Sequence, residues 1–211
     1  MWWPRGGIQN HGNLTLASST VTGNTVSGAF GGGFCGGIGN SPNGKATVTN
    51  STITGNTSSG GGGGIGNLGG SLTINNSTIA GNKETNGSGG VANYRGVVTL
   101  QNSIVADDSR GNCYGVMTSN GYNLSSDGSC NFSSPGDLNN TDPLLGALQN
   151  NGGQTQTMAL GSGSPAIDAG NPSGCTDNFG HPLKNDQRGQ PRPDKEDSSG
   201  CDMGAYERQS D

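Results

Sequence analysis

Residues 63–82 read Gly-Gly-Ile-Gly-Asn-Leu-Gly-Gly-Ser-Leu-Thr-Ile-Asn-Asn-Ser-Thr-Ile-Ala-Gly-Asn. The same text recurs on both sides. Gly-Gly-Ile-x-Asn begins at Gly6, Gly36 and Gly63, and Gly-Gly-Val-Ala-Asn begins at Gly89, at spacings of 30, 27 and 26 residues. Each start is followed by an apolar-Thr-apolar triplet: Leu14-Thr-Leu16, Ala46-Thr-Val48, Leu72-Thr-Ile74 and Val98-Thr-Leu100. Five residues after each triplet comes one more aliphatic, Val21, Ile53, Ile79 or Val105. Self-similarity at a fixed period of this length marks a stacked repeat.

Each unit thus holds three short segments rich in Thr, Val and Ile, separated by Gly and Asn corners. Alternation in Leu-Thr-Ile puts both apolar residues on one face of a strand. Stacking units at the interstrand spacing of ~4.8 Å sets identical residues above one another. Asn10, Asn40, Asn67 and Asn93 are then expected to form one amide ladder, and Asn24, Asn56 and Asn82 another. One unit cannot bury its own apolar side, so several must stack. The expected fold is all-β: a right-handed parallel β-helix (a solenoid) of about 4–6 coils over residues 1–132, with an irregular C-terminal cap over 133–211. The first repeat starts close to Met1, so either Trp2 and Trp3 cover its open end or further coils precede it.

Composition excludes the alternatives. Glycine supplies 42 of 211 residues, against roughly 7% in an average protein, and at ~1 kcal/mol per helical position this rules out long helices. Gly does not recur every third residue, so collagen is excluded. No apolar run reaches the ~18 residues of a membrane span, so no transmembrane segment is expected. Residues 1–105 carry Arg5, Lys45, Lys83 and Arg95 against Glu84, a net charge of +3, and residues 106–211 carry −8. The acidic half argues against a nucleic-acid partner and is compatible with Ca²⁺, which takes oxygen ligands. Cys113 and Cys130 bracket one loop and Cys175 and Cys201 another, so two local disulfides are expected, with Cys35 left over. That pattern points to an oxidising, extracellular or cell-surface location.

After Val105 the repeat decays. The tail contains Asp142-Pro-Leu-Leu-Gly146, Gly163-Ser-Pro-Ala-Ile-Asp168-Ala-Gly170, Asp186-Gln-Arg-Gly189 and Cys201-Asp-Met-Gly-Ala-Tyr-Glu207. This order, with the Gly-Gly-Ile-x-Asn and Asn-Ser-Thr-Ile-x-Gly-Asn coils, resembles the bacterial choice-of-anchor right-handed parallel β-helix proteins, related to polymorphic outer-membrane proteins. The resemblance implies a secreted or surface protein whose β-helix precedes an anchor. It implies a fold and a location rather than a reaction.

The fourth unit departs from the repeat. Where earlier units read Gly23-Asn24, Gly55-Asn56 and Gly81-Asn82, this one reads Asp107-Asp108, followed by Ser109-Arg110. Stacking is expected to set Asp108 over Asn82, Ser109 over Lys83 and Arg110 over Glu84. The preferred reading is a solvated corner of surface ion pairs. The functional alternative is a Ca²⁺ or uronate site, with Asp107 and Asp108 as metal ligands or catalytic carboxylates, Lys83 or Arg110 as base or clamp, and Glu84 in substrate binding. A second constellation comprises Asp168, Asp186, Arg188, Arg192, Asp202 and Glu207. It reads as Arg–carboxylate ties fastening the tail, or alternatively as paired carboxylates for glycosidic-bond cleavage. Phe30 and Phe34 flank Gly31-Gly-Gly33 in an insertion, as a turn plug or as sugar-stacking aromatics.

The functional expectation is a structural, adhesive or glycan-binding role, presenting a polar Thr/Asn-rich face to a polysaccharide or cell-surface glycan. The alternatives are a polysaccharide lyase or glycoside hydrolase, and a filament subunit associating end to end through its N-terminal coil.

Overall fold

The computed structural model describes residues 6–27, 35–177, 179–194 and 200–209. The first repeat contributes β1 (Ile8–Asn10), β2 (Asn13–Ala17), β3 (Thr20–Thr22) and β4 (Thr25–Val26). The second contributes β5 (Ile38–Asn40), β6 (Lys45–Thr49), β7 (Thr52–Thr54) and β8 (Thr57–Ser58). In the third and fourth, the first two segments fuse into single strands. These repeats hold β9 (Ile65–Asn75), β10 (Thr78–Ala80) and β11 (Lys83–Glu84), then β12 (Val91–Gln101) and β13 (Ile104–Ala106). A shorter unit follows with β14 (Cys113–Tyr114), β15 (Thr118–Ser119) and β16 (Leu124–Ser125), and the tail carries a hairpin of β17 (Leu145–Gln149) and β18 (Thr157–Leu160). There is no helix among the described residues.

Strands of successive repeats pair in parallel. One sheet runs β1-β5-β9-β12-β14 with β2, β6 and β15 attached, a second runs β16-β13-β10-β7-β3, and a third runs β11-β8-β4. The registers join equivalent residues: Ile8, Ile38, Ile65, Val91 and Cys113 are successive partners, as are Val21, Ile53, Ile79 and Val105. This stacking is consistent with a β-helix-like solenoid. One hydrophobic cluster contains the aligned aliphatics, including Ile38, Ile65, Val91, Val48, Ile74, Leu100, Ile53 and Ile79. At ~1.5–3 kcal/mol per buried aliphatic, these columns are the main stabilising term.

Polar corners lock the stack. Asn10 Nδ2 donates to Asn40 Oδ1 at 2.8 Å, Asn40 to Asn67 at 2.9 Å and Asn67 to Asn93 at 3.1 Å. Asn24, Asn56 and Asn82 form the second ladder, at 2.9 and 3.0 Å. The residue before each of those three asparagines has positive φ: Gly23 at 71°, Gly55 at 66° and Gly81 at 65°. Asp107 holds the same place at 57°, a conformation Asp tolerates better than most side chains.

The disulfides are Cys113–Cys130 and Cys175–Cys201. Cys35 is a buried thiol whose Sγ lies 3.0 Å from the Gly61 carbonyl oxygen as donor, and burial pushes its pKa up to about 12.

The C-terminal segment lies along the flank of the second sheet, reaching the first four repeats. Thr20 Oγ1 donates to the Gln156 carbonyl at 2.6 Å, Thr52 Oγ1 to Gln187 Oε1 at 2.6 Å, and Ala205 N–H to Thr78 Oγ1 at 3.1 Å. A third set of corner asparagines serves as its docking rail. Asn50 donates to Asn185 O, Asn76 to Thr176 O and Asn102 to Asp202 O, at 2.8 to 3.0 Å. The outward residues of this sheet become apolar toward the fourth repeat. There Ala80, Ile104 and Ala106 form a second core with Leu160, Ala166 and Met203. The Thr-rich face expected to meet a glycan is therefore in part an internal surface: Thr52 and Thr78 are buried beneath the tail.

Candidate functional site

At the Asp107-Asp108 corner Asp108 stacks over Asn82 as expected, but it is buried rather than part of a solvated ion-paired corner. Asp108 occupies the next rung of the second ladder. Its Oδ1 accepts from Asn82 N–H at 2.7 Å and from Asn82 Nδ2 at 3.0 Å, just as Asn82 Oδ1 accepts from Asn56 at 3.1 and 3.0 Å. Oδ2 stands where the ladder amides hold Nδ2. A Cβ on Gly90 would lie 2.5 Å from Asp108 Oδ2, and one on Gly64 would lie 3.0 Å from Asn82 Nδ2. That Oδ2 is buried without a hydrogen-bond partner. Burial raises the Asp108 pKa well above the ordinary carboxylate value, against the lowering effect of the Asn82 hydrogen bonds. Burial thus favours the protonated, asparagine-like form of the group.

Its neighbours diverge. Asp107 is exposed and points away from the ladder, its pKa raised by partial burial and by the charge of Asp142. Alternation in β11 sends Lys83 outward and Glu84 inward. Ser109 does reach the unit below, its Oγ accepting from Glu84 N–H at 2.8 Å. Arg110 is not stacked on Glu84 as a strand neighbour. The chain turns through Arg110 (φ 59°) and Gly111 (φ 113°), with Gly111 O accepting from Ser88 Oγ at 2.8 Å, and β11 pairs with β8 alone. The repeat shortens here, since Val91 pairs with Cys113, only 22 residues on. Among the described residues no ion pair involves Lys83, Glu84, Asp107, Asp108 or Arg110, and no group of three or more His, Cys, Asp or Glu could hold a metal ion.

The second constellation forms ties. Arg188 Nε meets Asp186 Oδ2 at 2.8 Å, and Arg192 Nε meets Glu207 Oε2 at 2.7 Å. Arg192 Nη1 also donates to Asn50 Oδ1 at 2.9 Å, joining tail to repeat. The Arg188 guanidinium lies 3.7 Å from the Tyr206 ring centroid. Asp202 Oδ1 accepts from Asp168 N–H at 2.9 Å. Burial pushes the Glu207 pKa up to about 7, outweighing the opposite pull of Arg192. Beside these ties lies an open polar groove of about 660 Å³ at Ser18, Asn50 and residues 182–189. Phe30 and Phe34 lie outside the described residues.

A different surface brings aromatic side chains together. Tyr94 on β12 and Tyr114 on β14 are 42% and 52% exposed, with ring centroids 5.3 Å apart and planes tilted by 43°. They flank a groove of about 450 Å³ lined by Asn93, Tyr94, Arg95, Gly96, Tyr114, Gly115 and Val116. Exposed Val97 and Val116 continue the apolar surface. The Tyr94 pKa is pushed up to about 12 by burial and the nearby Glu84 carboxylate, so the phenol stays a neutral donor. Glu84 is 3% exposed, and its buried Oε2 has no hydrogen-bond partner. A Cβ on Gly87 would collide with that oxygen and lie 3.5 Å from the Tyr94 hydroxyl, which places the carboxylate near that hydroxyl. On the same sheet, Thr15, Thr47, Thr73, Thr99 and Thr118 are successive strand partners. They form an exposed to half-buried column of hydroxyl-bearing residues that ends beside the groove's own strands.

Comparison with protein families, curated proteins and solved structures finds no match for the chain.

Proposed function

We propose that this chain is an extracellular or cell-surface right-handed parallel β-helix of about 4–6 coils that binds glycans in a structural or adhesive role. Its family is proposed to be that of the choice-of-anchor repeat proteins. The observation that carries the function is the exposed Tyr94–Tyr114 pair at a groove. Leaving two large rings in water forgoes burial energy, and an aromatic face is a natural platform for the C–H face of a sugar ring. The threonine column fits the same reading, because its ~4.8 Å strand spacing is close to the rise of one glycosyl unit in an extended chain. Two disulfides support an oxidising compartment. The test is a glycan array probed with the parent chain and with Tyr94→Ala/Tyr114→Ala. The parent is expected to retain glycans that the double variant loses by tenfold or more in affinity. Equal retention by both proteins would remove the groove from the account.

A further inference from the structure

We propose that the Tyr94–Tyr114 groove takes an acidic glycan, with the Arg95 guanidinium pairing a uronate carboxylate while the sugar faces stack on the two rings. This rests on the glycan-binding reading above and specifies its ligand class.

Arg95 sits at the apex of a backbone irregularity. The pairing of β12 with β9 shifts register between Asn93 and Arg95 and again between Arg95 and Val97. Bulges of this kind re-aim side chains and are common beside binding sites. The distortion is held in place on both sides. Asn67 Nδ2, a rung of the first ladder, donates to Arg95 O at 2.9 Å. Gly96 follows at φ 87°, where a Cβ would collide with the Gly70 carbonyl oxygen. The ladder and the glycine therefore fix the backbone from which the side chain projects.

The charge of the groove then decides the ligand. Arg95 is exposed, and among the described residues it makes no ion pair. Among the described residues no carboxylate lines the groove, in a chain with 15 acidic and only 10 basic side chains. Glu84 lies near the Tyr94 hydroxyl, but it is buried and is not among the lining residues. A planar guanidinium with five donors matches a carboxylate through two parallel hydrogen bonds. A cation lining the same groove as two rings thus complements the two features of a uronic acid residue, one charged edge and one apolar face. A neutral sugar could accept hydrogen bonds from the guanidinium but would leave its charge unpaired.

The experiment measures binding of the full chain to polygalacturonate and alginate and to their carboxyl-reduced counterparts, by calorimetry at low salt and at high salt. The parent is expected to bind the acidic polymers at least tenfold more tightly than the reduced ones, with the preference shrinking at high salt. Arg95→Gln should lose the preference while keeping residual binding through the rings, and Arg95→Lys should keep part of it. Melting temperatures are expected to stay unchanged, because the side chain is exposed. Equal affinity of the parent for acidic and reduced polymers, or a preference intact in Arg95→Gln, would overturn the acidic assignment and leave glycan binding standing. Binding of neither polymer set would overturn both.

Discussion

Replacing Asp108 by Asn should stabilise the protein, by an amount that grows with pH. The substitution restores the residue type that the ladder carries at positions 24, 56 and 82. In the folded chain Asp108 Oδ1 is fully engaged by Asn82, while Oδ2 is buried without a partner. An ionised carboxylate there would be an uncompensated buried charge, so the folded protein holds a proton that the unfolded chain, with a pKa of about 3.9, gives up. A folded-state pKa above the unfolded value contributes stability that is fully present below the unfolded pKa. That stability is lost as pH rises toward the folded one. Each pH unit inside that window costs the parent about 1.4 kcal/mol. An asparagine in this place carries no such dependence and adds an N–H donor. Its counterpart Asn82 Nδ2 donates to Ile53 O at 3.0 Å and Ala80 O at 3.3 Å. Repeat equivalence assigns Ile79 O and Ala106 O to the new amide. Urea denaturation of both proteins at pH 4, 5, 6 and 7 should give curves that diverge with pH. The advantage of Asp108→Asn should widen as pH rises above the unfolded carboxylate pKa of about 3.9. Glu207, whose pKa near 7 gives both proteins the same additional slope, cancels in the difference. A difference constant across that range, or a variant less stable at pH 7, would refute the proton-bearing rung.

Other consequences are direct. Ile65→Ala removes a fully buried side chain from the central column and should cost about 2–5 kcal/mol in chemical denaturation; a cost under about 0.5 kcal/mol would contradict its inward position. Arg192→Ala leaves Glu207 buried without its partner and cuts the tie to Asn50, so a loss of about 3–5 kcal/mol is expected. Pairing Arg192→Met with Glu207→Leu should recover part of that loss in thermal unfolding. Non-reducing peptide mapping should return Cys113–Cys130 and Cys175–Cys201, with Cys35 slow to react with thiol reagents in the native state because its thiol is buried at a pKa of about 12.

The interior was legible because repetition writes it four times. Ile38, Ile65 and Val91 occupy one slot of a recurring phrase, and strand alternation decides which way they face. The same logic located the Asn10–Asn93 ladder. It stopped at contacts that no local pattern encodes. Asn50, Asn76 and Asn102 look like ordinary corner residues, yet they receive a segment 100 or more residues away. A trace of this was present in the outward positions, which change from Thr20 and Thr22 to Ile104 and Ala106. At the Asp107-Asp108 corner the stacking order was readable, but the burial of Asp108 was not, since the sequence alone suggested a charged surface. The Tyr94–Tyr114 groove escaped because residues after Val105 read as irregular. Aligning Cys113 with Val91 at the shortened spacing places Tyr114 beside Ala92 and within reach of Tyr94.

The most direct measurement is a crystal structure of the chain with a galacturonate oligosaccharide. The account predicts sugar rings over Tyr94 and Tyr114, with one carboxylate within hydrogen-bond distance of the Arg95 guanidinium. An oligosaccharide seated instead in the polar groove at residues 182–189, with the tyrosine pair bare, would contradict it.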